Sequence, residues 1–268
     1  MNLFLITLAT LLYLLTAIVL LKRLASGIDA QGSTKHAALA SGAIAAALHA
    51  ATLYNAVAVE QGLNLSFFIS LSFTSWLATS LILLSALRHP IENLGIAVFP
   101  FAAIALLLQG YQAESGVVIS LSSTGLQAHI LISAISYSLL TLAAIQAVLL
   151  AIQNKQLRNR HPGGFIRALP PLETMECMLF RLIAIGYLLL SLSLLSAVPY
   201  TENIFEQHLV HKTILSISAW VVFAILLWGR WRFGWRGRKA IRWTLSGFAV
   251  LMLAYFGSKL VRELILGA

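Results

Sequence analysis

Eight stretches of mostly apolar residues, each about 20 long, follow one another along this chain. A run of that length is what one helix needs to cross ~30 Å of hydrocarbon. Backbone inside lipid has no water to bond, so only helices and closed barrels can span it. A barrel would show short segments of alternating polarity, and the sequence has none. The fold class this predicts is all-α: a polytopic integral membrane bundle of about eight transmembrane helices, expected as one membrane domain over residues 1–268. Only 10% of residues are charged, against about 25% in soluble domains.

The runs place the spans at Leu3–Leu21, His36–Val59, Leu65–Leu87 and Ile91–Gln109 in the first half. They continue at Gly125–Gln153, Cys177–Val198, His211–Trp228 and Ala240–Leu266. The first run starts with no basic segment before it and has no clean small-residue cleavage site. It reads as a retained helix rather than a signal peptide.

A net charge of +9 could suggest nucleic acid, but the cations are segregated. Of the 18 Lys+Arg, all but Lys212, Lys259 and Arg262 belong to alternate loops and their flanks. That is the pattern in which basic loops stay in the cytoplasm. It predicts a multi-pass protein of a bacterial inner membrane with both termini outside, lipids as partners and no nucleic acid. Cys177 is the single cysteine, which excludes an internal disulfide, a CxxC pair and a thiolate cluster.

That orientation sorts the seven histidines. His36, His89 and His161 fall beside Lys35, Arg88 and Arg160 at the cytoplasmic boundary, where solvation explains them. His129 lies about a turn inside the fifth run. His208 and His211 open the seventh, and His49 lies about two-thirds of the way along the second toward the outer face. Ionisable groups inside a membrane tend to face the bundle interior. A neutral imidazole can ligate a metal, and two of them on opposite sides of a porphyrin complete six-coordinate iron. His129 with His211 as iron ligands, and His208 and His49 as further cofactor-binding candidates, would do this. Zinc or copper fits the same set, with Glu202 and Glu206 near enough in sequence to join. The structural alternative for His129 and His49 is a hydrogen bond to a neighbouring helix. For His208 it is a wet loop position.

Several motifs bear on the choice. His129 and Tyr137 stand in HILISAISYSLL, and Leu172–Ser196 carries Arg181, Gly186, Tyr187, Leu189 and Ser196. Gly234–Ala240 reads GWRGRKA, and Gly247, Phe248, Tyr255 and Gly257 follow. As a set, over about residues 60–266, they resemble the CcsA/CcmC-type cytochrome c assembly proteins. His208 and His211, as HxxHK, resemble the HemX/YpjD-like branch of that family. The resemblance implies a bundle that handles haem near the outer face, with His129 matching a haem-ligating histidine. It also implies cytochrome c assembly or haem-pathway proteins as partners. The family's tryptophan-rich loop is missing, because Pro199–Val210 reads PYTENIFEQHLV. Without it a thioether-forming synthase is not expected. No P-loop, GxGxxG or nucleophile–base set is present, so the expectation is haem binding or transfer, not an enzyme.

The rival expectation is an accessory or regulatory membrane protein for haem synthesis or metal transport, acting through its basic cytoplasmic loops. The basic turn WGRWRFGWRGRKAIRW, Trp228–Trp243, serves either reading. Trp231, Arg232, Trp235, Arg236, Arg238 and Lys239 are expected to anchor it at a lipid interface. A solute transporter is disfavoured, because transporters bind near the midplane and no acidic residue lies mid-span.

Overall fold

A computed structural model describes residues 2–25, 32–59, 62–87, 91–111, 118–119, 124–159, 169–200, 207–257 and 260. The helices are α1 (Asn2–Ala25), α2 (Gly32–Val57), α3 (Phe67–Ala86), α4 (Gly95–Tyr111), α5 (Thr124–Arg158), α6 (Leu172–Ala197), α7 (Gln207–Phe233) and α8 (Arg238–Met252). A π-helical turn, Leu253–Gly257, continues α8. Among the described residues eight helices are long and apolar enough to cross a membrane, as the apolar runs predict, and the chain is a multi-pass membrane protein.

The ends differ from expectation in several places, two of which matter most here. α7 begins at Gln207 and runs through Phe233, so position 208 is helical and Arg230 and Arg232 extend the span. The expected turn after α2 is a small antiparallel sheet of β1 (Ala58–Val59), β2 (Gly62–Asn64) and β3 (Val118–Ile119). Its register pairs Ala58 with Leu63 and Leu63 with Ile119.

The chain packs as two compact units, Met1–Ser120 with Gln156–Pro170, and Leu121–Lys155 with Pro171–Ala268. In the first, α1 packs on α2 and α4, and α3 closes the bundle against the same two. Association within lipid relies on close packing of small residues. The alanine-rich α2 supplies them: a Cβ at Gly42 would meet Leu83 and Phe99 at 3.2 Å and Thr16 at 3.3 Å. Tyr13 and Phe99 stack at 5.9 Å in this core. At one end of the unit Glu92 receives both Arg23, at 3.5 Å, and Lys35, at 3.3 Å.

In the second unit, α5 and α6 meet where Gly186 admits Leu140, 2.9 Å from where a Cβ would stand. Trp220 on α7 donates to the Ser191 hydroxyl of α6 at 2.8 Å and stacks on Tyr187 at 5.5 Å. Gly247 on α8 lies against Phe223 and Val222 of α7.

Candidate functional site: a polar seam around His129

Serines recur at helical spacing on the facing sides of α5 and α6. Residues three and four apart share a helix face, so His129, Ser133 and Ser136 form one stripe and Ser193 and Ser196 another. Side chains on the two helices pair at successive levels. His129 Nδ1 lies 2.9 Å from Ser196 Oγ, and Ser133 Oγ lies 2.7 Å from Ser193 Oγ. Ser136 donates to the Gly186 carbonyl at 2.9 Å, and deeper along the same pair Gln146 Nε2 donates to the Met175 carbonyl at 3.0 Å.

The proton count at the top of the seam favours one histidine tautomer. The Ser196 hydroxyl donates to the Ser193 carbonyl at 2.9 Å, which uses its one proton. With that proton on the Ser193 carbonyl, the serine oxygen accepts from His129 and Nδ1 carries the hydrogen. In that tautomer Nε2 keeps its lone pair. His129 is half-buried. A neutral imidazole whose Nδ1–H is held by a second partner is the usual form of a metal-ligating histidine. The donor present thus fits an axial ligand to haem iron, and the same contact is also the interhelical bond expected of a purely structural histidine.

His49 has a different environment. It lies in the first unit, fully buried, with Nδ1 3.1 Å from the Tyr13 hydroxyl and Nε2 2.8 Å from Ser72 Oγ. Both ring nitrogens are engaged, so ligation by His49 would require Tyr13 or Ser72 to let go. His208 and His211 fall in the first turns of α7, and their side chains lie outside the described residues. So do His89, His161, Glu202 and Glu206. His36 is exposed in the first turns of α2. Among the described residues no group of three or more His, Cys, Asp or Glu gathers as a metal cluster would.

On α8, Tyr137 of α5 donates to the Leu251 carbonyl at 3.3 Å and packs on Tyr255 at 5.4 Å. A π-turn shifts carbonyls out of the α-helical register, and Leu251 stands just before the one at Leu253–Gly257. Sequence reasoning did not find the Ser193–Ser196 pair as partners of His129. The i, i+3 spacing on α6 was the available sign.

At the opposite end of this unit the basic turn divides into scaffold and surface. Gly234, at φ +62°, ends α7 with its N–H on the Arg230 carbonyl at 3.1 Å, a left-handed C-terminal cap. Trp235 folds back over Gly229, where a Cβ would come within 2.5 Å of the indole. Arg230 Nη1 donates to the Trp235 carbonyl at 3.2 Å. Glu176 accepts the Gly237 N–H at 2.8 Å, and Arg236 reaches Glu173 and Glu176 at 3.5 and 3.6 Å. Trp235 and Arg236 thus build the turn. Trp231, Arg232, Arg238 and Lys239 are exposed.

Residues 37–266 match the model of the cytochrome C assembly protein family. The inner membrane protein YpjD of Escherichia coli strain K12 is 34% identical over 236 residues, covering 87% of this chain and 89% of that protein. Protein HemX of Brevibacillus brevis is 23% identical over 201 residues, covering 72% and 73%. The cytochrome c biogenesis protein CcsA of Chlamydomonas reinhardtii is 27% identical over 208 residues, covering 72% of this chain and 57% of its own length. No solved structure matches. With a family match over residues 37–266 and a relative 34% identical over 87% of its length, the chain belongs to the cytochrome C assembly protein family.

Proposed function

We propose that this protein binds haem at the His129 end of its second unit and holds or hands on that haem without catalysing its covalent attachment. The supporting observation is the contact at His129: Ser196 Oγ lies 2.9 Å from Nδ1, and with Nδ1 protonated Nε2 would be the nitrogen that ligates. A second histidine at the start of α7, His211 or His208, would also hold the haem. Bound haem would supply an iron centre whose oxidation state its two ligands tune. The chain's own part is to orient the ring and exclude competing ligands. The relative YpjD is named an inner membrane protein, and the segregation of cations supports a periplasmic position for the His129 end. The name of CcsA points to cytochrome c biogenesis, so proteins of that pathway are the proposed partners. The exposed Trp231, Arg232, Arg238 and Lys239 anchor the other end among anionic headgroups.

An absorption spectrum of the detergent-purified protein tests this reading. A Soret band with bis-imidazole features is expected, and it should be lost in His129→Ala. Persistence of the band in the His129/His208/His211 triple variant would overturn the site.

A further inference from the structure

Past Met252, α8 changes its winding, because Leu253–Gly257 is a π-turn. Leu251, Ala254 and Phe256 are buried, and Leu253 is exposed. In an α-helix Leu251 and Phe256, five positions apart, would point about 140° away from each other. Bonds closed i→i+5 bring residues five apart toward one side, so the π-turn keeps both inside. A plain α-helix one residue shorter would do the same, with the phenylalanine four positions after Leu251. Core packing therefore does not require the extra residue. What the turn adds is a carbonyl offered to the side. Tyr137 on α5 donates its hydroxyl to the Leu251 carbonyl at 3.3 Å, and its ring centre lies 5.4 Å from that of Tyr255. The Ser216 side chain on α7 bonds the same hydroxyl. Tyr137 is buried, and at its tip three helices meet.

We propose that Tyr137 is a positioning residue for the haem site: its hydroxyl pins the π-turn of α8 and the adjoining stretch of α7 to α5, and so fixes how those helices stand beside His129. The inference rests on the haem reading above. A backbone carbonyl moved off its α-helical partner inside a membrane is costly unless a donor meets it, and the phenol is that donor. Departures from regular winding persist where surrounding contacts hold them, and they gather at functional sites. Tyr137 stands eight residues from His129 on the same helix, about 12 Å along its axis. That distance rules out direct contact with an iron held by His129. The tyrosine acts through the backbone of α8 and the side chain of Ser216, not on the porphyrin.

The test is a four-variant cycle on the full-length purified protein: wild type, Tyr137→Phe, deletion of Leu253, and the two changes together. Each is titrated with haem, examined by electron paramagnetic resonance of the ferric complex, and melted. Tyr137→Phe keeps the ring and removes the hydroxyl. It should weaken haem binding at least roughly tenfold, as for other groups that orient a ligand from outside its coordination shell. It should also broaden the low-spin signal, which reports imidazole orientation, and barely move the melting temperature. Deletion of Leu253 returns α8 to plain α-winding with Leu251 and the phenylalanine still on one face, so the variant should fold, and its haem affinity should fall as far. The double variant should bind no more weakly than the deletion alone, because the carbonyl that Tyr137 served is back in its helix. Haem affinity and signal unchanged in Tyr137→Phe, or lost only in step with melting temperature, overturn the positioning role. Losses that simply add in the double variant overturn the pairing of Tyr137 with the π-turn. A wild-type protein with no Soret band overturns the haem reading and the positioning role with it, whereas the same cycle read in melting temperature still decides whether Tyr137 holds the turn.

Discussion

The Ser196 hydroxyl stands 2.9 Å from His129 Nδ1 and gives its own proton to the Ser193 carbonyl. A residue on α6 therefore bears on which nitrogen of a ring on α5 keeps its lone pair. Ser196→Ala removes that contact, and the ring is free to turn or to change tautomer. Haem affinity should fall at least ~10-fold, as for other partners of ligating histidines. The helix pair should lose only about 0.6 kcal/mol, the average for such bonds in membranes. Ser196→Thr keeps the hydroxyl and should restore affinity. Haem titration read beside a thermal melt separates the two effects.

Gly186 and Leu140 set how closely α5 and α6 approach. A Cβ at position 186 would meet Leu140 Cδ2 and Cγ at 2.9 Å and Leu139 Cβ at 3.4 Å. The Gly186 carbonyl also accepts from Ser136 at 2.9 Å. Gly186→Ala must push the helices apart or force Leu140 off its rotamer, at about 1–3 kcal/mol. Adding Leu140→Ala opens room for the new methyl, so the double variant should lose less than the two single losses summed. Unfolding in detergent micelles, run as a four-variant cycle, measures the coupling.

The seam shows how far the sequence reaches. The spans are legible because lipid imposes their length and polarity one helix at a time. His129 is legible because a titratable ring inside an apolar run is rare. Its pairing with Ser196 is not, because serine is nearly neutral in a span and a helix apolar on all sides carries little directional signal. The register between α5 and α6 exists only once Gly186 lets them meet. The same limit explains the basic turn. Trp235 and Arg236 resemble their neighbours in sequence, yet the reversal at Gly234 folds the indole over Gly229 and Glu176 draws the guanidinium in. α7 begins a turn earlier than its apolar run because Gln207, His208 and Lys212 are polar enough to hide the helix start.

His49 ties three helices of the first unit together, through Tyr13 on α1 and Ser72 on α3. His49→Leu strands two buried hydroxyls and should destabilise the protein by roughly 1–3 kcal/mol. Tyr13→Phe removes one bond and should cost about 0.6 kcal/mol. With both ring nitrogens already committed, neither change should shift the Soret band of bound haem. A spectrum that changes in His49→Leu at unchanged protein monodispersity would return His49 to the ligand set.

The basic turn separates structural from interfacial cations, and lipid exchange can tell them apart. Arg232, Arg238 and Lys239 are exposed, so neutralising each to Gln should weaken retention of anionic phospholipid by about 1 kcal/mol and leave the melting temperature nearly unchanged. Raising the salt should shrink the difference between wild type and variant, because screening acts on exposed charges. Arg236 holds Glu173 and Glu176 at 3.5 and 3.6 Å, and Glu176 caps Gly237. Arg236→Gln should therefore act on the fold, by up to about 1 kcal/mol for so exposed a pair, with little effect on lipid preference. Native mass spectrometry of lipid retained from mixed anionic and zwitterionic nanodiscs gives the first quantity and a thermal melt the second. If Arg236→Gln lost lipid as strongly as Lys239→Gln, the division between scaffold and surface would be wrong.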